Sequence, residues 1–258
     1  MKNITFLCGM PRSGNTLLGA LINQNKKVVL TANSVVPDIL HETWKIKHNT
    51  TFQNFPDNDS FDKYLENIIQ NYYLSFEQNF IVDRGPWGTP GNLMLLQKYY
   101  KHKLNFIVLT RNVLECMASF IKIMKVEKNK IEKTCENFLK RTEMLGLSIW
   151  SIQNLIKESK TNSNIKIHFL TYENLIKNPL KEIEKIFDFL KITSSSINLK
   201  NFNDFSINGV KYNDVIWSDI YHTNLHDIRT DCIKKNKIEL DKILPKKIIN
   251  KYKDVKIF

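Results

Sequence analysis

Gly9-Met10-Pro11-Arg12-Ser13-Gly14-Asn15-Thr16 has the spacing of a phosphate-binding loop but contains no lysine. It follows an apolar run of strand length, residues 4–8, and runs into residues 17–22, which read as buried helix. Strand, glycine-bounded loop and helix in that order aim main-chain N–H groups and the positive end of a helix at an anion. The Gly, four residues, Gly spacing is that of a Walker loop, which continues with Lys-Ser/Thr. Asn15 stands in the lysine position. Without that charge, turnover of a Mg-bound triphosphate is disfavoured, and Arg12 supplies the loop's cation instead. The expected ligand is a phosphate-like group of another kind.

The arginines point the same way. There are five, Arg12, Arg84, Arg111, Arg141 and Arg229, against 33 lysines. A lysine-biased composition retains arginine where its planar fork is needed, above all for two parallel hydrogen bonds to phosphate or sulfate. Arg12, Arg84 and Arg111 each follow an apolar strand-like run. In an open parallel sheet those positions converge at the strands' carboxyl ends, where ligands bind. Arg141 lies inside a helical pattern and reads as structural or surface.

The elements that must position these groups alternate between strand-like and helical runs, which implies βαβ units and a parallel sheet. Strands are expected at 4–8, 28–30, 80–83, 104–110 and 165–170. Helices are expected at 14–25, 35–48 with Ser34 as cap, 61–78 with Ser60 as cap, 92–101 and 113–125. A long amphipathic helix over 131–156, interrupted at Gly146, and a helix over 179–190 complete the pattern. Residues 49–60 read as a loop. From about 195 onward the chain is rich in Asn, Asp and Lys with scattered aromatics. The reading is a single domain over 1–258, with a core of about 1–192 and a C-terminal extension of about 193–258.

Pro11-Arg12-Ser13-Gly14-Asn15-Thr16-Leu17 resembles the 5′-phosphosulfate loop of sulfotransferases, which use 3′-phosphoadenosine 5′-phosphosulfate (PAPS). Three further segments extend the resemblance in the same order. Thr110-Arg111-Asn112-Val113 through Ser119 is similar to the segment whose Arg and Ser hold the 3′-phosphate, with Val113 where the family often has Pro. Val82-Asp83-Arg84-Gly85-Pro86-Trp87 is similar to the bacterial and phage-type segment that carries an Asp-Lys or Lys-Asp pair, with Arg84 in place of the lysine at the transferring group. Thr171-Tyr172-Glu173-Asn174-Leu175 through Asn178-Pro179 is similar to a stretch read as structural.

The resemblance implies an α/β, P-loop-type three-layer fold with a central parallel sheet and helices on both faces. It implies transfer of a sulfuryl group from PAPS, without metal, to a hydroxyl or amine of a small-molecule or glycan acceptor. Pro11, Arg12, Ser13, Gly14, Asn15, Thr16 and Leu17 would hold the 5′-phosphosulfate, and Arg111 and Ser119 the 3′-phosphate. Arg84, with Arg12, would act on the transferring group, where a fixed cation stabilises charge developing on the leaving phosphate.

The acid–base residue is less legible. Pro86 stands where cytosolic sulfotransferases place a histidine, and Thr31-Ala32-Asn33-Ser34 lacks the glutamate of tyrosylprotein-type enzymes. Asp38, His41, Glu42 and Asp83 remain as candidates for deprotonating an acceptor. Asp83 has a second reading as a salt-bridge or cap residue and a third as a Walker-B-like metal ligand. Near the C-terminus, Tyr221 to Arg229 resembles a His…Arg cluster of the bacterial and phage group, with Arg229 over the nucleotide or acceptor. Trp87 suits packing, or stacking on a ring.

The formal charge is +12 over 258 residues. Most of it reads as a lysine-coated, solvated surface, the remainder as attraction for an anionic cosubstrate. No nucleic-acid module is recognisable. No run has the length and flanks of a signal peptide or membrane span, and Cys8, Cys116, Cys135 and Cys232 lack metal or redox spacing, so a cytoplasmic protein with reduced thiols is expected. Two alternatives stay open: a P-loop kinase of small molecules or nucleotides, which Asp83 favours and Asn15 opposes, and a non-catalytic PAPS-binding module. The oligomeric state is not legible.

Overall fold

The computed structural model describes residues 1–200, 206–211, 233 and 238–257. Five parallel strands form one sheet in the order β2-β3-β1-β4-β5. They are β1 (Asn3–Gly9), β2 (Val28–Leu30), β3 (Phe80–Arg84), β4 (Leu104–Thr110) and β5 (Ile165–Thr171). All five expected strands are present. β1 and β4 are almost entirely apolar because both faces of the sheet are covered.

Side chains alternate across the sheet and feed two cores. Ile4, Phe6, Cys8, Ile81, Phe106 and Val108 join the first. Against them pack α2 (Val36–Lys45), α4 (Asn58–Tyr72), α5 (Pro90–Tyr99), α6 (Val113–Ile123) and α8 (Met144–Ser159). Leu7, Val82, Ile107 and Leu109 join the second, with α1 (Asn15–Ile22) and α10 (Pro179–Leu190). The remaining helices among these are the short α3 (Thr50–Asn54), α7 (Ile131–Phe138) and α9 (Tyr172–Lys177). Each fully buried large apolar side chain contributes roughly 1.5–3 kcal/mol, so the alternation largely fixes which way each strand faces.

Three local expectations give way to the structure. Residues 49–60 are not all loop: Asn49 caps α3 by accepting from the Phe52 N–H at 2.8 Å. Asp57, not Ser60, caps α4, accepting from the Ser60 N–H at 3.0 Å, because an acceptor is wanted three residues before the first free N–H groups. The helical pattern over 131–156 breaks at Leu139–Glu143, between α7 and α8, rather than at Gly146. Turn hydrogen bonds from Lys140 N to Asn137 O and from Glu143 N to Lys140 O, both 2.9 Å, make the break. Gly146 sits in the first turn of α8, and a Cβ there would lie 2.1 Å from the Lys140 carbonyl.

The chain's end returns to the core. Two short helices, Leu240–Ile243 and Lys246–Tyr252, bury Leu244 and Ile248 in the first core. Lys251 pairs with Glu136 of α7 at 2.7 Å, and Lys247 pairs with Glu132.

β1 lies between β3 and β4. The chain leaves β1 toward β2 on one side and leaves β4 toward β5 on the other. The two loops diverge at the carboxyl ends of β1 and β4, the switch point of this sheet, and at such points open α/β sheets form their ligand-binding crevice.

Candidate functional site

The loop after β1 is built from two left-handed residues. Arg12 has φ 64° and Gly14 φ 92°. Glycine is required at 14 twice over: by its φ, and because a Cβ would stand 2.9 Å from the Tyr172 ring. The Ser13 hydroxyl and the Asn15 amide both turn inward and donate to the Met10 carbonyl, at 2.6 and 2.7 Å. Asn15 Oδ1 is buried without a hydrogen-bond partner, and the side chain fills the space over Gly9. The position that would carry a Walker lysine is therefore a brace inside the loop. The side chains at 13 and 15 hold the loop's shape, leaving main-chain N–H groups of the first turn of α1 for an anion. Pro11, Thr16 and Leu17 are half-buried at the loop and that first turn.

The two arginine motifs meet at the crevice. Arg111 follows β4 directly and is only 6% exposed. Its Nη1 donates to the Arg12 carbonyl at 2.9 Å. Arg12 Nε donates to Ser119 Oγ at 3.1 Å, so the groups expected at the two phosphate sites touch each other. Ser119 is reached from Arg111 through α6, whose start is fixed by Asn112: its side chain accepts from the N–H groups of Leu114 and Glu115, at 2.9 and 3.3 Å. Val113 occupies the first helical position, where proline is tolerated but not needed. The family's missing Pro therefore changes little here.

Tyr172 and Glu115 escaped the sequence reading as site residues. Tyr172 opens α9 just beyond β5, and its ring lies under the Arg111 guanidinium, 4.0 Å from carbon to centroid. Glu115 Oε2 accepts from Arg111 Nε at 2.9 Å and lies 2.8 Å from Nη2. The signal for Tyr172 was its place: an aromatic residue directly after a strand that ends beside β4. The signal for Glu115 was its separation of four from Arg111.

Arg84 ends β3, on the far side of β1 from β4. Its N–H donates to Thr31 Oγ1 and its carbonyl accepts from the Ser34 N–H, both at 2.9 Å. These bonds, with Pro37 Cγ 2.9 Å from where a Gly85 Cβ would stand, set the start of α2 against the Arg84 loop. Asp38 is exposed in the first turn of α2. His41 and Glu42 follow one turn later, His41 Nδ1 3.5 Å from Glu42 and Glu42 2.6 Å from Lys45 Nζ. Lys45, chiefly through that hydrogen bond, holds the Glu42 carboxyl below the usual range.

Asp83 points the other way from Arg84, into the first core, and is wholly buried. Tyr73 Oη donates to Oδ2 at 2.6 Å and Trp87 Nε1 to Oδ1 at 3.0 Å. Ser34 Oγ stands 3.4 Å from Tyr73 Oη. Burial pushes the Asp83 carboxyl up to about 6, against the downward pull of its hydrogen bonds. The same surroundings raise the Tyr73 phenol, through burial first and the nearby carboxylate second. Trp87 is fully buried, with its ring 4.9 Å from that of Phe6, which is packing and not an exposed stacking surface.

Cys8, Cys116 and Cys135 are free and buried, with burial raising each thiol well above its ordinary value. Arg141 is exposed between α7 and α8 and lies 5.0 Å from the Trp150 ring centroid. Among the described residues, no three His, Cys, Asp or Glu are grouped to hold a metal ion. Nor is any helix among them long and apolar enough to cross a membrane. Arg229, the rest of the Tyr221-to-Arg229 cluster and Cys232 lie outside the described residues.

The fold is shared with a mouse sulfotransferase complexed with PAP, at a TM-score of 0.54 and 12% identity over 98% of this chain and 81% of that one. The sulfotransferase domain from the Synechococcus PCC 7002 olefin synthase gives 0.52 and 19%, over 76% of each chain. A retinol dehydratase in complex with androsterone and the inactive cofactor PAP gives 0.50 and 15%, over 97% and 78%. No curated protein sequence matches the chain. The family model of the sulfotransferase domain matches residues 2–254, nearly the whole length, and with that match the chain belongs to the sulfotransferase family and is a transferase.

Proposed function

We propose that this sulfotransferase takes its sulfuryl group from PAPS and that the crevice between β1 and β4 is the nucleotide site. The observation that carries the reading is the meeting of Arg12, Arg111 and Ser119, from two motifs about a hundred residues apart, at the sheet's switch point. The mouse neighbour holds PAP, the product left when PAPS loses its sulfuryl group. The residues present suit such a ligand. Arg111 Nη2 is buried without a well-aligned hydrogen bond, a donor that an anion would satisfy. The left-handed backbone at Arg12 and Gly14 opens the loop ahead of the free N–H groups of α1.

PAPS, when bound, supplies an activated sulfuryl group. The chain's own work is to hold and balance charge. Main-chain groups from Arg12 to Leu17 receive the 5′ end, with Ser13 and Asn15 bracing the loop from within. Arg111 and Ser119 receive the 3′-phosphate, and the Tyr172 ring seats the guanidinium from beneath. Arg84 places a cation at the transferring sulfuryl group, where it meets the charge that rises on the leaving phosphate oxygen. Asp38, beside the Arg84 loop, is the acceptor's base, ahead of His41 and of Glu42, which is engaged with Lys45. Asp83 orders the Arg84 loop through Trp87. The acceptor is a hydroxyl or amine of a small metabolite or glycan.

Incubation with sulfur-labelled PAPS and a panel of hydroxylated and aminated acceptors tests this. The expected result is PAP formation with label moved to one acceptor class. Tight PAP binding with no transfer to any acceptor, and none to water, would favour a non-catalytic module.

A further inference from the structure

Arg111 is held on three sides, and the third holder has no role in the reading above. Tyr172 fixes the plane of the guanidinium, and the Arg12 carbonyl takes Nη1. Glu115 adds a further hold on the Nε–Nη2 edge. One carboxylate oxygen, Oε2, lies 2.9 Å from Nε and 2.8 Å from Nη2, so it spans the side fork of the guanidinium. With Nη1 engaged by the Arg12 carbonyl, the capacity to spare lies on Nη2. Nη2 is buried and makes no well-aligned hydrogen bond, so one of its protons is unmet. A buried guanidinium with an unmet donor is costly unless something completes it.

Glu115 is itself well placed to act as a fixed strut. It sits in the first turn of α6, where a carboxylate is favoured by the helix end, and its N–H is held by the Asn112 cap. It is one helical turn from Arg111, and its side chain is about a third exposed, so its charge remains partly solvated while its oxygen reaches inward.

We infer that Glu115 is a positioning residue for the 3′-phosphate: by occupying the side fork of Arg111 it holds the guanidinium so that the unmet Nη2 donor serves the anion. The inference rests on the nucleotide reading above. Its alternative is that Glu115 covers Arg111 and competes with the phosphate for it. The two differ in sign. A strut, once removed, weakens binding of a 3′-phosphate. A competitor, once removed, strengthens it.

The test is calorimetric titration of the full chain with adenosine 3′,5′-bisphosphate and, in parallel, adenosine 5′-monophosphate, which lacks the 3′-phosphate. Glu115→Gln should weaken the bisphosphate by about tenfold and leave the monophosphate within about twofold, because one charge-assisted contact is involved. A general loosening of the fold would weaken both alike. Glu115→Asp, which keeps the charge, should retain more of the preference than Gln does. In an Arg111→Ala background, Glu115→Gln should cause no further loss, since the effect passes through the arginine. Unchanged or tighter bisphosphate binding by Glu115→Gln overturns the inference and leaves the nucleotide reading standing. Failure of the unaltered protein to bind the bisphosphate at all overturns that reading, and this inference with it.

Discussion

Arg111 Nη1 donates to the main-chain carbonyl of Arg12 at 2.9 Å, across 99 residues of sequence. The bond joins the end of β4 to the loop after β1, two segments that no local propensity brings together. The parallel pairing of Gly9 with Leu109 does so. Once the register is set, the arginine that follows β4 stands beside the loop that follows β1. The ring of Tyr172, delivered by the next strand along, completes the seat.

Replacing Arg111 by Ala should therefore cost nucleotide affinity much more than it costs the fold. The loss should be about 1.5–3 kcal/mol in bisphosphate binding, the range for a charged hydrogen bond. Tyr172→Leu should act in the same direction by about 0.5–2 kcal/mol, the worth of the ring beneath the cation. Titration calorimetry with the bisphosphate measures both. Equal affinity for the altered and unaltered proteins would remove the pair from the site.

Asp83 predicts a pH signature in stability. Its carboxyl is raised from 3.8 to about 6, so the folded chain binds a proton that the unfolded chain releases between those values. The contribution is present in full below about pH 4 and is lost as pH rises through about 6, by roughly 3 kcal/mol. Asp83→Asn has no such proton to lose. Between pH 4 and 8 the variant should therefore gain on the unaltered protein by about that amount, read from urea midpoints. Parallel pH profiles would show that the buried carboxylate does not titrate there.

How far the sequence could be read divides along this line. An apolar run ending in arginine is visible at once, and both Arg12 and Arg111 fell where expected. What a side chain does inside a loop is not visible. The hydroxyl of Ser13 and the amide of Asn15 both turn out to donate to the Met10 carbonyl, a bracing role that spacing does not reveal. Tyr172 looked like part of a turn because its partner lies on another strand. Asp83 and Arg84 are neighbours in sequence, yet alternation along β3 sends one into the core and leaves the other at the strand end. Cap positions failed at Ser60 for a different reason: Asp57 offers an acceptor one turn earlier, and the helix begins wherever the first acceptor is met.

Asp38 should show the behaviour of a base. Asp38→Asn should lower turnover by about 100-fold with bisphosphate affinity unchanged, and should flatten the acidic limb of the rate profile. His41→Gln and Glu42→Gln, one turn further along α2, should do less. The assay is PAP release with an acceptor found by screening. A normal rate in Asp38→Asn would move the base elsewhere without touching the nucleotide site.

Arg84→Ala should separate transfer from binding. A cation that acts as charge develops on the leaving oxygen should affect turnover by about 100-fold and bisphosphate affinity little. Comparison of turnover number with bisphosphate dissociation constant decides. Equal losses in both would make Arg84 an ordinary binding group.

The central claim is that the crevice between β1 and β4 is built for a 3′-phosphorylated nucleotide and not for a Mg-bound triphosphate. Thermal melting of the full chain with adenosine 3′,5′-bisphosphate, and separately with ATP and Mg, tests it most directly, because a ligand that binds only the folded chain raises its melting temperature by mass action. The account predicts a clear rise with the bisphosphate and a smaller one with ATP and Mg, since Asn15 braces the loop where a lysine would meet the triphosphate. A strong rise with ATP and Mg and none with the bisphosphate would contradict it.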